Sequence, residues 1–331
     1  MLNLLCQPSK IGNMKLKNRM VMPPMMVGYA NADGTVSKRT LNHYELRAKG
    51  GIGLIIVEAT YVYEKAPISR NEPGLSDDKF ISGMEELTNA VHKWGAKIAV
   101  QLVHGGRTTP VSLSGVQPIA PSAIQAPGRD LPREMTVADI KGVIKYYADA
   151  AVRAKKAGFD GIEIHGAHGF LINQFLSPAS NHRSDEYGGN VENRARLLIE
   201  VIKAVKESVG RDYPVWCRIN GKEFGLEDGE TLDDAKKVAQ MAEAAGVDAI
   251  HVSASGPANP VNITTTFVPA VISHLAAAVK EVVHVPVIAV GKMTPEAGEK
   301  LLREKKADLI AFGRALIADP ELPNKVCAGK I

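Results

Sequence analysis

Short apolar runs rich in β-branched residues recur along the chain, and each is followed by a longer stretch in which apolar positions return every three or four residues. The runs are RMVMPP near Arg19, then GLIIVEA, KIAVQLV, DGIEIH, PVWCRIN, DAIHVS, PVIAV and DLIAFG. They are apolar on both faces, the pattern of strands in a parallel sheet covered on both sides. Helical periodicity marks SDDKFISGMEELTNAVHKWG, TVADIKGVIKYYADAAVRAKKAG, NVENRARLLIEVIKAVKESVG and TLDDAKKVAQMAEAAG. Ser76, Thr136, Asn190 and Thr231 stand where N-caps belong, and Gly95, Gly158, Gly210 and Gly246 where helices should stop.

Eight strand-then-helix units predict an α/β fold of the closed parallel type, a (β/α)8 TIM barrel. An open doubly wound sheet would carry a G-x-G-x-x-G turn after a strand, and none occurs. Alternation around Asn13 predicts a short N-terminal hairpin that closes the barrel floor. The stretch from His104 to Arg133, rich in Pro, Ser and Gly, follows the third strand and is expected to be a loop on the catalytic face. No Gly/Ser/Pro linker divides the chain, so residues 1–331 read as one barrel domain.

Composition narrows the classes. The 331 residues are 45% hydrophobic with a formal net charge of +4, and cations are interspersed with anions. The basic stripe of a nucleic-acid-binding protein is missing. Neither a secretory leader nor a membrane-length apolar stretch is found, so a soluble, cytoplasmic protein is expected. Cys6, Cys217 and Cys327 are few, distant and odd in number, which argues against a disulfide framework and against a paired-cysteine zinc site. Cys217, inside an apolar strand, reads as a core residue.

In such a barrel the chemistry sits on the loops after the strands, so polar residues there carry the most weight. Gly291 with Lys292, and Gly313 with Arg314, end the last two strands, where phosphate is commonly held; glycine lets the backbone approach and the cations supply charge. Gln101 and Arg218 bring an amide and a cation into an apolar setting, which a heteroaromatic ring with carbonyl and nitrogen acceptors would satisfy. Together these outline a flavin mononucleotide (FMN). His165 and His168 close the fourth strand. As neutral imidazoles they would donate N–H bonds to a carbonyl oxygen gaining charge; with Asp160 or Glu163 they would instead form a metal site, and the residues alone leave both open.

The whole chain resembles the Old Yellow Enzyme family of FMN-dependent ene-reductases. The most specific stretch is HGAHGFLINQFLSPASNHRSDEYGGNVENRARLLIEVI, supported by MPPMM, VEAT, QLVHGGR and FGRALIADPELPNK. The resemblance implies FMN contacts for Pro24, Met25, Ala59, Gln101, Arg218, Gly291, Lys292, Gly313 and Arg314, with Met26 near the reactive edge. It makes His165 and His168 the pair that binds the activating oxygen of an unsaturated carbonyl or carboxylate substrate. It implies NADH or NADPH as reductant, no resident metal, and a homo-oligomer.

Two positions depart from the family. Phe170 stands where many relatives carry a proton-donating tyrosine, which leaves Tyr29 or water to deliver the proton. The C-terminal LPNKVCAGKI resembles the stretch that leads, in 2-enoate and 2,4-dienoyl-CoA reductases, into an iron–sulfur segment; a cluster is expected only if the chain continues past Ile331. Competing readings are an amine dehydrogenase of the same barrel, which needs an aromatic cage from Trp94 (read as helical) or Trp216; a metal-dependent lyase; and an FMN electron relay without alkene turnover.

Overall fold

The computed structural model describes residues 2–263 and 268–331. Its centre is a closed barrel of parallel strands: Met20–Met22, Leu54–Tyr61, Lys97–Val103, Gly161–Gly166, Val215–Glu223, Ile250–Ser255, Val287–Ala289 and Leu309–Ala311. Each pairs with the next in sequence, and the eighth pairs with the first through Ile310–Met20 and Ala311–Val21. The TIM-barrel expectation therefore holds, and all eight strands coincide with the apolar runs.

The helices between them also follow the pattern. Thr136, Asn190 and Thr231 accept the backbone N–H of Asp139, Asn193 and Asp234 and cap Val137–Lys156, Val191–Val209 and Leu232–Ala244. The four expected stop glycines all have positive φ. Two expectations need correction. Asp77, not Ser76, is the cap: its side chain accepts from Lys79 N and opens a single turn, Asp78–Phe80, ahead of the helix Ile81–His92. Trp94 lies beyond the end of that helix rather than on it.

The hairpin Ser9–Ile11 with Met14–Leu16 plugs the lower end. Ile11, Met14 and Leu16 pack with Val21, Leu54, Ile56, Ala99, Trp216, Ile288 and Leu309 inside the barrel. Burying each such side chain contributes about 1.5–3 kcal/mol. With one end filled by hydrocarbon, polar inward-facing residues are confined to the other. There the long segment after the third strand is not wholly irregular, because Ile119–Ala120 pairs with Arg133–Glu134 across it.

The cysteine reading is corrected as well. Cys6 and Cys327 form a disulfide, while Cys217 is buried and free. Sequence separation hid this pairing, whereas barrel closure produces it: strand eight lies beside strand one, and Leu4 and Leu5 donate backbone N–H bonds to Glu299. Both cysteines thereby reach the same side of the barrel. Reduction is expected to lower the unfolding free energy by about 2–4 kcal/mol. Chemical denaturation with and without reductant measures this, and Cys327→Ser should abolish the response.

Candidate active site

Strand register sets three residues side by side in the barrel interior, with Gln101 opposite Glu163 and Glu163 opposite Trp216. The Glu163 carboxylate is completely buried. It accepts from Gln101 Nε2 at 2.7 Å, Trp216 Nε1 at 2.7 Å and His251 Nδ1 at 2.7 Å. Burial pushes this carboxyl up, but His251, Arg218 and Trp216 outweigh that and hold it below the usual range. An acceptor-only carboxylate obliges Gln101 to present its NH2 group inward, leaving its amide oxygen for another partner.

Two residues further along each strand, where side chains return to the same face, the fourth, fifth and sixth strands place His165, Arg218 and Ser253. His168 joins them by a turn in which it and Gly169 both have positive φ, 63° and 76°. For a histidine that conformation is strained and requires anchoring. The Asn220 side chain accepts from His168 N at 3.4 Å and the Asn173 side chain from Gly169 N at 2.6 Å. Both amides then donate to Glu230 Oε2, so one buried carboxyl ties the turn down.

The two imidazoles meet edge to face, with ring centres 5.0 Å apart, and the Phe170 ring also meets His165 edge to face at 5.0 Å. His165 is held well below its ordinary pKa by burial first and then by His168, Arg218 and His251; His168 is lowered by burial, Arg218 and His251. Both are therefore neutral near pH 7, with one N–H each.

Pro24, Met25, Arg218, Gly291, Lys292, Gly313 and Arg314 line one cavity of about 520 Å³. An adjoining cavity of about 410 Å³ shares Arg218 and Gly291 and adds His168 and Ser253. Arg218 is decisive, because it is buried and its Nε has no partner among the described residues. A buried cation calls for an acceptor, and the space it lines is where one belongs. At the other end a Cβ on Gly291 would stand 2.5 Å from Ile272 Cγ1, and one on Gly313 would stand 3.1 Å from Met25 Sδ. These positions admit backbone and little else. Acceptors for Arg218, a backbone cradle and two cations fit the ring and phosphate of FMN.

The loop carrying Pro24, Met25 and the exposed Met26 is fixed by Glu58, which accepts from Val27 N at 2.8 Å and Gly28 N at 3.1 Å. A register shift between Val57 and Ala59 turns Glu58 toward it. Ala59 and Gln101 are neighbours across strands two and three and are not among the residues lining these two cavities. Tyr29 is not brought in. Its ring lies 3.7 Å from the Arg39 guanidinium and edge-on to His43, against the helix Lys38–Lys49.

Asp160 is also elsewhere, bonded to His92, Lys97 and the backbone of Ile98. Among the described residues no group of three His, Cys, Asp or Glu side chains could hold a metal ion. Sequence reasoning assigned no role here to His251, Ser253, Asn173, Asn220 or Glu230. The available signal was strand alternation, since His251 and Ser253 share a face with each other and register carries that face to Arg218.

The wall beside Phe170 has its own titrating group. Ile68, packed with Ala59, Val103 and Phe170, is held by its N–H to Glu72 Oε2 at 2.6 Å. Burial raises Glu72 to about 8 against those backbone bonds. A carboxyl raised on folding contributes stability that is present below its unfolded pKa and lost as pH rises through the folded value. Stability should therefore fall between about pH 4.5 and 8 and level off above that, and Glu72→Gln should flatten the slope. Denaturation midpoints across that range measure it.

No helix among the described residues is long and apolar enough to cross a membrane. Residues 4–330 match the NADH:flavin oxidoreductase / NADH oxidase family. The chain is 46% identical to the NADH oxidase of Thermoanaerobacter brockii over 97% of its own length and 50% of that protein's. It superposes on 2-naphthoyl-CoA reductase with a TM-score of 0.94 at 31% identity, over 99% of this chain and 53% of that one. It superposes on an old yellow enzyme homologue from Zymomonas mobilis with a TM-score of 0.87 at 30% identity, over 98% and 92%. The chain thus spans about half the length of the first two. The barrel, the cavities at its mouth and these likenesses agree: the chain belongs to the NADH:flavin oxidoreductase / NADH oxidase family, the Old Yellow Enzyme group.

Proposed function

We propose that this chain is the FMN-holding catalytic barrel of an NAD(P)H-dependent reductase of activated alkenes. The observation that carries the reading is the buried Arg218, with Nε unpartnered among the described residues, beside the neutral pair His165 and His168. Bound FMN would supply a two-electron carrier between NADH or NADPH and the β-carbon of an unsaturated carbonyl or carboxylate. Arg218 and Gln101 would hold its ring, and Gly291, Lys292, Gly313 and Arg314 would hold its phosphate.

His165 and His168 bind the activating oxygen and stabilise the charge that develops there. Each neutral imidazole has one N–H to donate, and a bond from it strengthens as the oxygen becomes anionic. Phe170 carries no hydroxyl and Tyr29 is committed to Arg39 and His43, so we assign the α-carbon proton to water. The amine-oxidising alternative needs an aromatic cage. Trp216 is buried and bonded to Glu163, and Trp94 is bonded to Glu45 outside the barrel, so neither provides one.

The test is anaerobic incubation with FMN, NADH or NADPH and an enone or 2-enoate, following loss of the alkene. His165→Ala is expected to lower kcat/KM for the alkene by about 10²–10³-fold. An untouched alkene with an oxidised amine, or a protein that retains no flavin, would overturn the reading.

A further inference from the structure

The two histidines do not simply point at a common ligand; they are links in a directed chain of hydrogen bonds. Ala167 N donates to His165 Nδ1 at 3.3 Å, so the His165 proton sits on Nε2. That nitrogen lies 3.2 Å from His168 Nδ1, which must accept. The remaining His168 proton is then on Nε2, which faces Ser253 Oγ at 2.8 Å. Ser253 Oγ also accepts from Arg218 at 3.3 Å.

In this arrangement both N–H groups are spent inside the protein. An oxygen bound between the rings needs two donors, His165 Nε2–H and His168 Nδ1–H. The first is in place. The second exists only if the His168 proton moves from Nε2 to Nδ1, and Nε2 then needs a donor of its own. Ser253 is the group able to serve both states, because a hydroxyl accepts from Nε2–H in one and donates to Nε2 in the other. Arg218 keeps it available: a guanidinium only donates, so it never claims the hydroxyl hydrogen.

We propose that Ser253 is a positioning residue that sets which nitrogen of His168 carries the proton, and thereby converts a closed histidine pair into a two-donor oxygen site. The inference rests on the oxygen-binding reading of His165 and His168. It adds a residue outside the pair and predicts that ligand binding changes a tautomer rather than a charge. Neutral imidazole exchanges its proton with water, so the conversion needs no other reactant.

Nitrogen-15 correlation spectra of histidine-labelled, FMN-loaded protein read each ring nitrogen directly, with para-nitrophenolate as the oxygen ligand. The expected result is His165 and His168 both protonated on Nε2 in the free protein, and His168 protonated on Nδ1 once the phenolate is bound. Ser253→Ala should bind the phenolate at least about tenfold more weakly, the loss of one hydrogen bond to a group paired with a charged ligand. Ser253→Thr, which keeps the hydroxyl, should restore binding to near the unsubstituted level; a purely packing role would show neither the tautomer change nor this rescue. An unchanged His168 tautomer, no phenolate binding by the unsubstituted protein, or full affinity in Ser253→Ala would overturn the proposal. The spectra of the unsubstituted protein test the tautomer change, and the two Ser253 variants test that Ser253 controls it. Phenolate binding with the tautomer change but no alkene turnover would instead defeat the proposed function and leave this inference standing.

Discussion

The buried carboxylate of Glu163 is the interaction on which the mouth of the barrel depends. Removing such a group from water costs several kcal/mol unless its oxygens are fully bonded, and here three donors from three other strands meet it. Each donor is also oriented by the encounter: Gln101 must turn its NH2 inward, His251 must carry its proton on Nδ1, and Trp216 is fixed across the interior. One charge therefore sets the rotamers of strands three, five and six at the level on which the site is built.

That charge also explains why a guanidinium is tolerated one layer above it. Among the described residues Arg218 has a single hydrogen bond, to Ser253, and the negative charge beneath it offsets part of its desolvation. The rest is left for an electron-rich ligand. The same cation, with burial, keeps His165 and His168 neutral. The layers thus differ in sign, an anion below and, in the layer above it, a cation side by side with a neutral donor. That order suits the proposed binding of an electron-rich ring and of a substrate oxygen that gains negative charge.

Much of the fold was legible because local and global requirements coincide. All eight strands fell on apolar runs, and Thr136, Asn190 and Thr231 cap the helices they were expected to cap. Ser76 misled because Asp77 beside it can also cap, and a single turn intervenes before the helix begins. Seven of the expected cofactor contacts line one cavity, since position at a strand's end predicts position at the barrel mouth. Tyr29 was expected at the site for its hydroxyl and its loop alone, and the loop carries it toward Arg39 instead.

By itself the sequence determined the barrel, the histidine turn and the glycine and cation pairs at its end, because apolar period, capping and strand-end chemistry are local properties of the chain. Tertiary structure decided the remainder. The Cys6–Cys327 pairing, the Glu230 anchor beneath the His168 turn and the Ser253 bond to its imidazole all join distant segments. They exist because barrel closure fixes which strand stands beside which and in what register, and that geometry is set by the packing of the whole interior rather than by any one stretch of residues.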